Sequence, residues 1–148
     1  MALASYNDLV STVESYLART DLTSVIPTFV MLAQQRMSRD LRTREMLKVA
    51  TTTATDGTVE IPTDFLEMRE LHFQGNPPIT LEYESPDKFF RDLLTTTSGL
   101  PYYYTIIGYE FQFAPAPDSE QVLQMLYYAE PTFISSTTSS NLYLANYP

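Results

Sequence analysis

The sequence contains no cysteine and no tryptophan, only four glycines and a single histidine, and no long apolar run. Without cysteine, disulfide staples, thiolate zinc sites and cysteine nucleophiles are excluded. The glycines are unclustered, so there is no phosphate-cradling loop, and neither a nucleophile elbow, a helical metal pair nor a calcium loop is present. His72 stands alone between Leu71 and Phe73, without a second histidine at ligand spacing, and reads as an ordinary strand residue outside any site. Met1 to Ala4 lack a basic leader region and no segment approaches ~18 apolar residues, so neither a signal peptide nor a membrane span is expected. The chain is expected to be soluble and made in the cytoplasm.

Charge is also sparse: charged residues are 18% of the chain, against ~25% in a typical domain. With 44% hydrophobic residues in 148 positions, the chain has the material for one folded body of ordinary size. Eighteen acidic and nine basic residues give a net charge of −9. That balance disfavours a duplex-DNA binder held by many phosphate contacts, while leaving close passage of DNA open. The charge is uneven. Arg36, Arg39, Arg42, Arg44 and Lys48, against Asp40 and Glu45, make one short segment +3 and the remaining chain −12. Three readings follow: a solvated helix face with internal pairs such as Arg36 to Asp40, an electrostatic seam to an acidic neighbour or copy, and a nucleic-acid contact, which the overall charge opposes.

Apolar residues at Tyr6, Leu9, Val10, Val13, Tyr16 and Leu17 follow helical spacing, with Ser5 or Asn7 as cap. A second helix is expected from near Ser24, with Pro27 in its first turn and a stripe of Ile26, Phe29, Val30, Ala33, Met37 and Leu41. Two helices so joined cannot bury both stripes without a third element, whether a sheet, a further helix or another subunit. After Arg44 the period becomes alternating. The order of segments reads as a hairpin about Asp56-Gly57, a strand through Leu66 to Phe73, a reversal at Gln74 to Pro78, and a strand through Ile79, Leu81 and Tyr83. A short helix opened by Ser85-Pro86 comes next, then strands 102–107 and 110–114 about Gly108-Tyr109, and a last strand from Gln121 to Ala129. Residues 131–141 read as a Ser/Thr-rich linker and Leu142 to Ala145 as the opening of a truncated C-terminal helix. The fold class is α+β: a helical hairpin over 1–45, an antiparallel sheet or small sandwich with one inserted helix over 46–130, and a linker with the start of a helix over 131–148.

No catalytic, metal or cofactor site emerges, and no enzyme activity is expected. Glu82 and Glu84, or Glu67 and Glu70, form carboxylate pairs, but a solvated strand face yields the same pattern. The eleven tyrosines and eight phenylalanines are the unusual feature. Tyr102 to Tyr104 and Tyr127-Tyr128 direct rings to both faces of their strands. Sugar-binding platforms often use tryptophan, which is absent, so protein contact is the more economical reading.

The segments Ala4 to Leu9, Tyr16 to Leu22, Arg39 to Arg42 before Arg44 to Leu47, Ile61 to Glu67, Leu81 to Tyr83 with Ser85-Pro86, Pro101 to Ile106, Ala114 to Asp118 and Leu126 to Ala129 together resemble the tailed-bacteriophage adaptor (head-to-tail connector) proteins. The resemblance covers essentially the whole chain in order, except that Leu142 to Pro148 correspond only to the entry of a C-terminal helical stretch. It implies a virion structural protein of the neck: a ring, typically of twelve copies, between the capsid portal and the tail proteins, with genomic DNA passing through its lumen. It implies no cofactor and no membrane. Arg36, Arg39, Arg42, Arg44, Tyr103, Tyr127, Leu142, Tyr143 and Tyr147 are the expected subunit or partner contacts. A tail-fibre or baseplate module that binds a sugar or receptor through the tyrosine-bearing sheet is the alternative.

Overall fold

The computed structural model describes residues 5–19, 21–94 and 97–138. The chain divides into two compact units, Met1–Met46 with Glu130–Pro148, and Leu47–Ala129. The first holds helices α1 (Tyr6–Leu17) and α2 (Ile26–Asp40) and a single 3-10 turn at Arg44–Met46. Ser5 caps α1 by accepting from the Asp8 backbone N–H at 3.2 Å. Ala18 ends the helix in the left-handed region at φ 49°.

Helix α2 buries a different face from the one its apolar spacing suggests. Ile26, Gln34 and Ser38 are buried and Val30 is half-buried, a ridge of fourfold spacing. Phe29 and Met37, expected inside, are exposed, as is Leu41. The reason is the segment that lies against the helix, Glu130–Ile134, which belongs to no helix or strand. A backbone outside helix and sheet needs hydrogen-bond partners when buried, and Gln34 supplies both. Its Nε2 donates to the Ile134 carbonyl at 3.2 Å and its Oε1 accepts from the Ile134 N–H at 2.7 Å. Ser38 Oγ donates to Glu130 Oε1 at 3.2 Å.

The second unit is a sandwich of two four-stranded sheets. Its strands are β1 (Leu47–Ala54), β2 (Thr58–Glu60), β3 (Phe65–Phe73), β4 (Ile79–Thr80), β5 (Glu82–Tyr83), β6 (Tyr103–Ile107), β7 (Glu110–Ala114) and β8 (Gln121–Ala129). One sheet has the order β1-β8-β3-β4 and the other β2-β7-β6-β5. Alternate residues of β8, Leu123, Met125, Tyr127 and Ala129, are buried and face Phe111 and Phe113 of β7 in a shared core. Phe73 packs against Phe113 at 5.5 Å, and Phe65 against both Phe111 at 5.8 Å and Tyr127 at 5.7 Å.

Two expected elements turn out differently. The turn at Asp56-Gly57 is not a hairpin, because β1 pairs with β8 and β2 with β7. The chain crosses from one sheet to the other there. The expected strand through Ile79 and Tyr83 is split at buried Leu81, with β4 pairing to β3 and β5 running parallel to β6. In both places alternation is kept while the hydrogen-bond partner changes, and alternation alone cannot distinguish these cases. The inserted helix is a single α-turn, α3 (Pro86–Lys88), continued by a π turn over Phe89–Leu93, and Ser85 makes no side-chain cap bond. The expected C-terminal helix falls outside the described residues.

Asp64 clasps one corner of the sandwich. Its carboxylate accepts from Lys48 Nζ of β1 at 2.6 Å and from the Tyr127 hydroxyl of β8 at 2.8 Å. Partial burial pushes the carboxyl up, but the bonds from Lys48 and Tyr127 outweigh it and hold the group below the usual carboxylate range. Burial first, and the bond to Asp64 second, push the Tyr127 phenol up.

Two outcomes are expected. Gln34→Ala, which leaves the Ile134 peptide without its side-chain partners, speeds hydrogen exchange of the Ile134 amide by about tenfold or more; unchanged protection would show that the segment is held by something else. Because the Asp64 value is depressed on folding, its contribution is present above ~3.9 and is lost as pH falls through the folded value. The raised Tyr127 value contributes below ~10 and is lost as pH rises through it. Tyr127→Phe should therefore cost about 2 kcal/mol in urea denaturation at pH 7, and much less once Asp64 is protonated. A pH-independent difference would mean that the hydroxyl does not serve the ionised carboxylate.

Candidate functional site

The described residues hold no cluster of three or more groups suited to a metal ion. His72 has Nε2 3.2 Å from Gln124 Oε1 and Nδ1 3.6 Å from Glu70. Glu84 pairs with Lys88 at 2.5 Å, and that hydrogen bond raises the Lys88 ammonium above its usual value. The His72–Gln124 contact joins half-buried side chains of neighbouring strands β3 and β8, and the Glu84 pair is a local surface contact. No helix among the described residues is long and apolar enough to cross a membrane.

The basic segment looks different once its partners are known. Lys48 belongs to the Asp64 clasp, and the hydrogen bond to that carboxylate, the largest cause, raises its ammonium above the usual value. Arg44 lies 2.8 Å from Glu45. Arg42 turns its guanidinium back onto the end of α2 and donates to the carbonyls of Ser38, Arg39 and Leu41, where the unpaired carbonyls of a helix C-terminus attract a cation. Arg36 stays 81% exposed with Asp40 at 3.6 Å, an arrangement that contributes little. Arg39 is exposed in the last turn and has no acidic partner among the described residues. Of the five cations, Arg36 and Arg39 are the two left to face a neighbour.

The tyrosines also separate. Tyr127 is inside the sandwich with its hydroxyl on Asp64, and Tyr104 is buried in the same core against Phe111. Tyr103 is half-buried on β6. Leu142, Tyr143 and Tyr147 lie outside the described residues. Among the described residues, the rings most open to solvent are Tyr16 and Tyr109, at 87% and 89%.

A feature not anticipated from the sequence is the outer face of α2. Val25, Phe29, Leu32, Arg36 and Arg39 follow one another at alternating spacings of four and three, so they share one side of the helix. All five are exposed. The side runs from apolar at the start of the helix to cationic at its end. The spacing is visible in the sequence, but it groups Phe29 with the apolar stripe, and the role of Gln34 that reverses this has no local signal.

The profile of the SU10 adaptor protein family matches residues 4–148. No curated protein matches the chain. The family is one of structural bacteriophage head-tail adaptors and is not a known enzyme family. Membership implies interaction with portal and tail proteins and a place in the virion neck. A profile match that spans nearly the whole chain, over a helical pair and a mostly antiparallel sandwich, makes this protein a member of the SU10 adaptor protein family of bacteriophages.

Proposed function

We propose that the protein works as a homo-oligomeric adaptor ring, of about twelve copies in line with the family resemblance, that docks on the portal and offers a platform to tail proteins. The genome passes through the centre of the ring. The observation that carries this reading is the uncovered face of α2. Phe29 and Leu32 are each more than half exposed and Val25 lies beside them. An apolar stripe that is solvated in one copy is stabilised when a neighbouring surface removes it from water. Around a ring, one patch meets a different patch on the next copy, and the geometry closes. The net charge of −9 suits a lumen through which DNA slides without adhering. In this reading residues 1–45 contribute helices to the ring and 46–130 form the sandwich that meets the neighbours.

The test is native mass measurement and negative-stain imaging of the chain alone and with portal. Wild type should form closed rings, at least when portal is present. Phe29→Ser combined with Leu32→Ser should leave folding stability within about 0.5 kcal/mol, because both side chains are exposed, yet abolish the rings. A chain that stays monomeric and indifferent to portal would overturn the reading.

A further inference from the structure

An open apolar cleft of about 660 Å³ lies at one end of the β2–β7–β6 sheet. Its floor is Ile61, Phe65 and Ile106. The turn between β6 and β7 forms a wall, where Gly108 takes φ +62° and holds Tyr109 out in solvent. Glu60 of β2 and Glu110 of β7 stand at the rim. They are direct partners in the antiparallel ladder, so register forces two carboxylates side by side. Like charges in that position are destabilising. Neither has a cationic partner among the described residues, and both are exposed. The arrangement is therefore unfavourable in the single chain and is relieved by any cation brought between them.

We propose that this cleft receives the outer face of α2 from a second copy of the chain, with Arg36 and Arg39 of that copy on Glu60 and Glu110, and Phe29 and Leu32 over the apolar floor. The inference rests on the ring reading and names the acceptor surface that it requires. Charge complementarity identifies the occupant. The cleft carries two unpaired carboxylates, and the helix carries two guanidinium groups, one unpaired and one loosely held. Spacing agrees as well. Residues three apart on a helix have Cβ atoms about 5–6 Å apart, and direct cross-strand partners about 4.5–5.5 Å. Guanidinium groups bind carboxylates through paired parallel hydrogen bonds, and the exposed Tyr109 ring offers a face on which one of them can stack. The apolar-to-cationic order along α2 matches a surface with an apolar floor and an anionic rim.

The test compares five proteins by native mass measurement, alone and with portal: wild type, Glu60→Lys with Glu110→Lys, Arg36→Glu with Arg39→Glu, the fourfold charge exchange, and Glu60→Gln with Glu110→Gln. Melting by circular dichroism checks that all are folded. Each charge-reversed double variant should raise the concentration needed for half-assembly by about tenfold or more, and the fourfold variant should recover most of that loss. Assembly of wild type should weaken with added salt, and the Glu60→Gln, Glu110→Gln variant should lose that dependence. If wild type forms rings and the Glu60→Lys, Glu110→Lys variant forms them equally well, the cleft proposal fails while the ring reading stands. If that variant keeps its rings but loses portal or tail binding, the occupant is a cation from another protein and the proposal is overturned. If wild type never assembles, both fail.

Discussion

Tyr127 joins the two demands that any sandwich corner must meet, an apolar interior and a satisfied polar edge. Its ring is buried against Phe65, while its hydroxyl reaches the Asp64 carboxylate that also holds Lys48. Strand β8, which carries it, pairs with β1 on one side and β3 on the other. Remove the inward residues of this strand and neither sheet has a surface to close upon. The other sheet, in which β2 pairs with β7 and sets Glu60 beside Glu110, shares its core with those inward residues.

The helical unit follows a different logic. A lone globular protein turns its most apolar helix side inward. Here the inward side of α2 includes Gln34 and Ser38, each hydrogen-bonded to the returning segment, and the outward side includes Phe29 and Leu32. A buried glutamine that completes the hydrogen bonds of a segment outside helix and sheet defines one arrangement more sharply than an apolar contact would, because its loss leaves a peptide unpaired. The apolar residues are thereby left on the surface. In an adaptor that works between portal and tail, such a surface is material for contacts that the single chain does not contain.

The cationic segment shows how pairing alters a charge pattern. Five basic residues in thirteen positions look like one patch in the sequence. In the fold, Lys48 is held by a carboxylate sixteen residues on, Arg44 by its neighbour, and Arg42 by the carbonyls of its own helix. What remains outward without a close carboxylate or carbonyl partner is Arg36 and Arg39, three residues apart. Long-range pairing of this kind is set by β1 and the Asp64 loop coming together, which no local rule describes.

The family resemblance, the α+β class, both main helices and the long strands β3, β6, β7 and β8 were legible from sequence order, cap residues and alternation, since these depend on local backbone preference and on side-chain period. The crossing at Asp56-Gly57, the split at Leu81 and the face that α2 buries were not. A strand with alternating residues satisfies its pattern in either sheet, and the choice of partner depends on residues distant in the chain. By itself the sequence determined which segments are helix and strand and that the chain is acidic, free of cysteine and rich in aromatic rings. Only the tertiary structure decided which rings and cations remain outside, because burial and ion pairing depend on which distant segments the fold brings within contact and hydrogen-bonding distance.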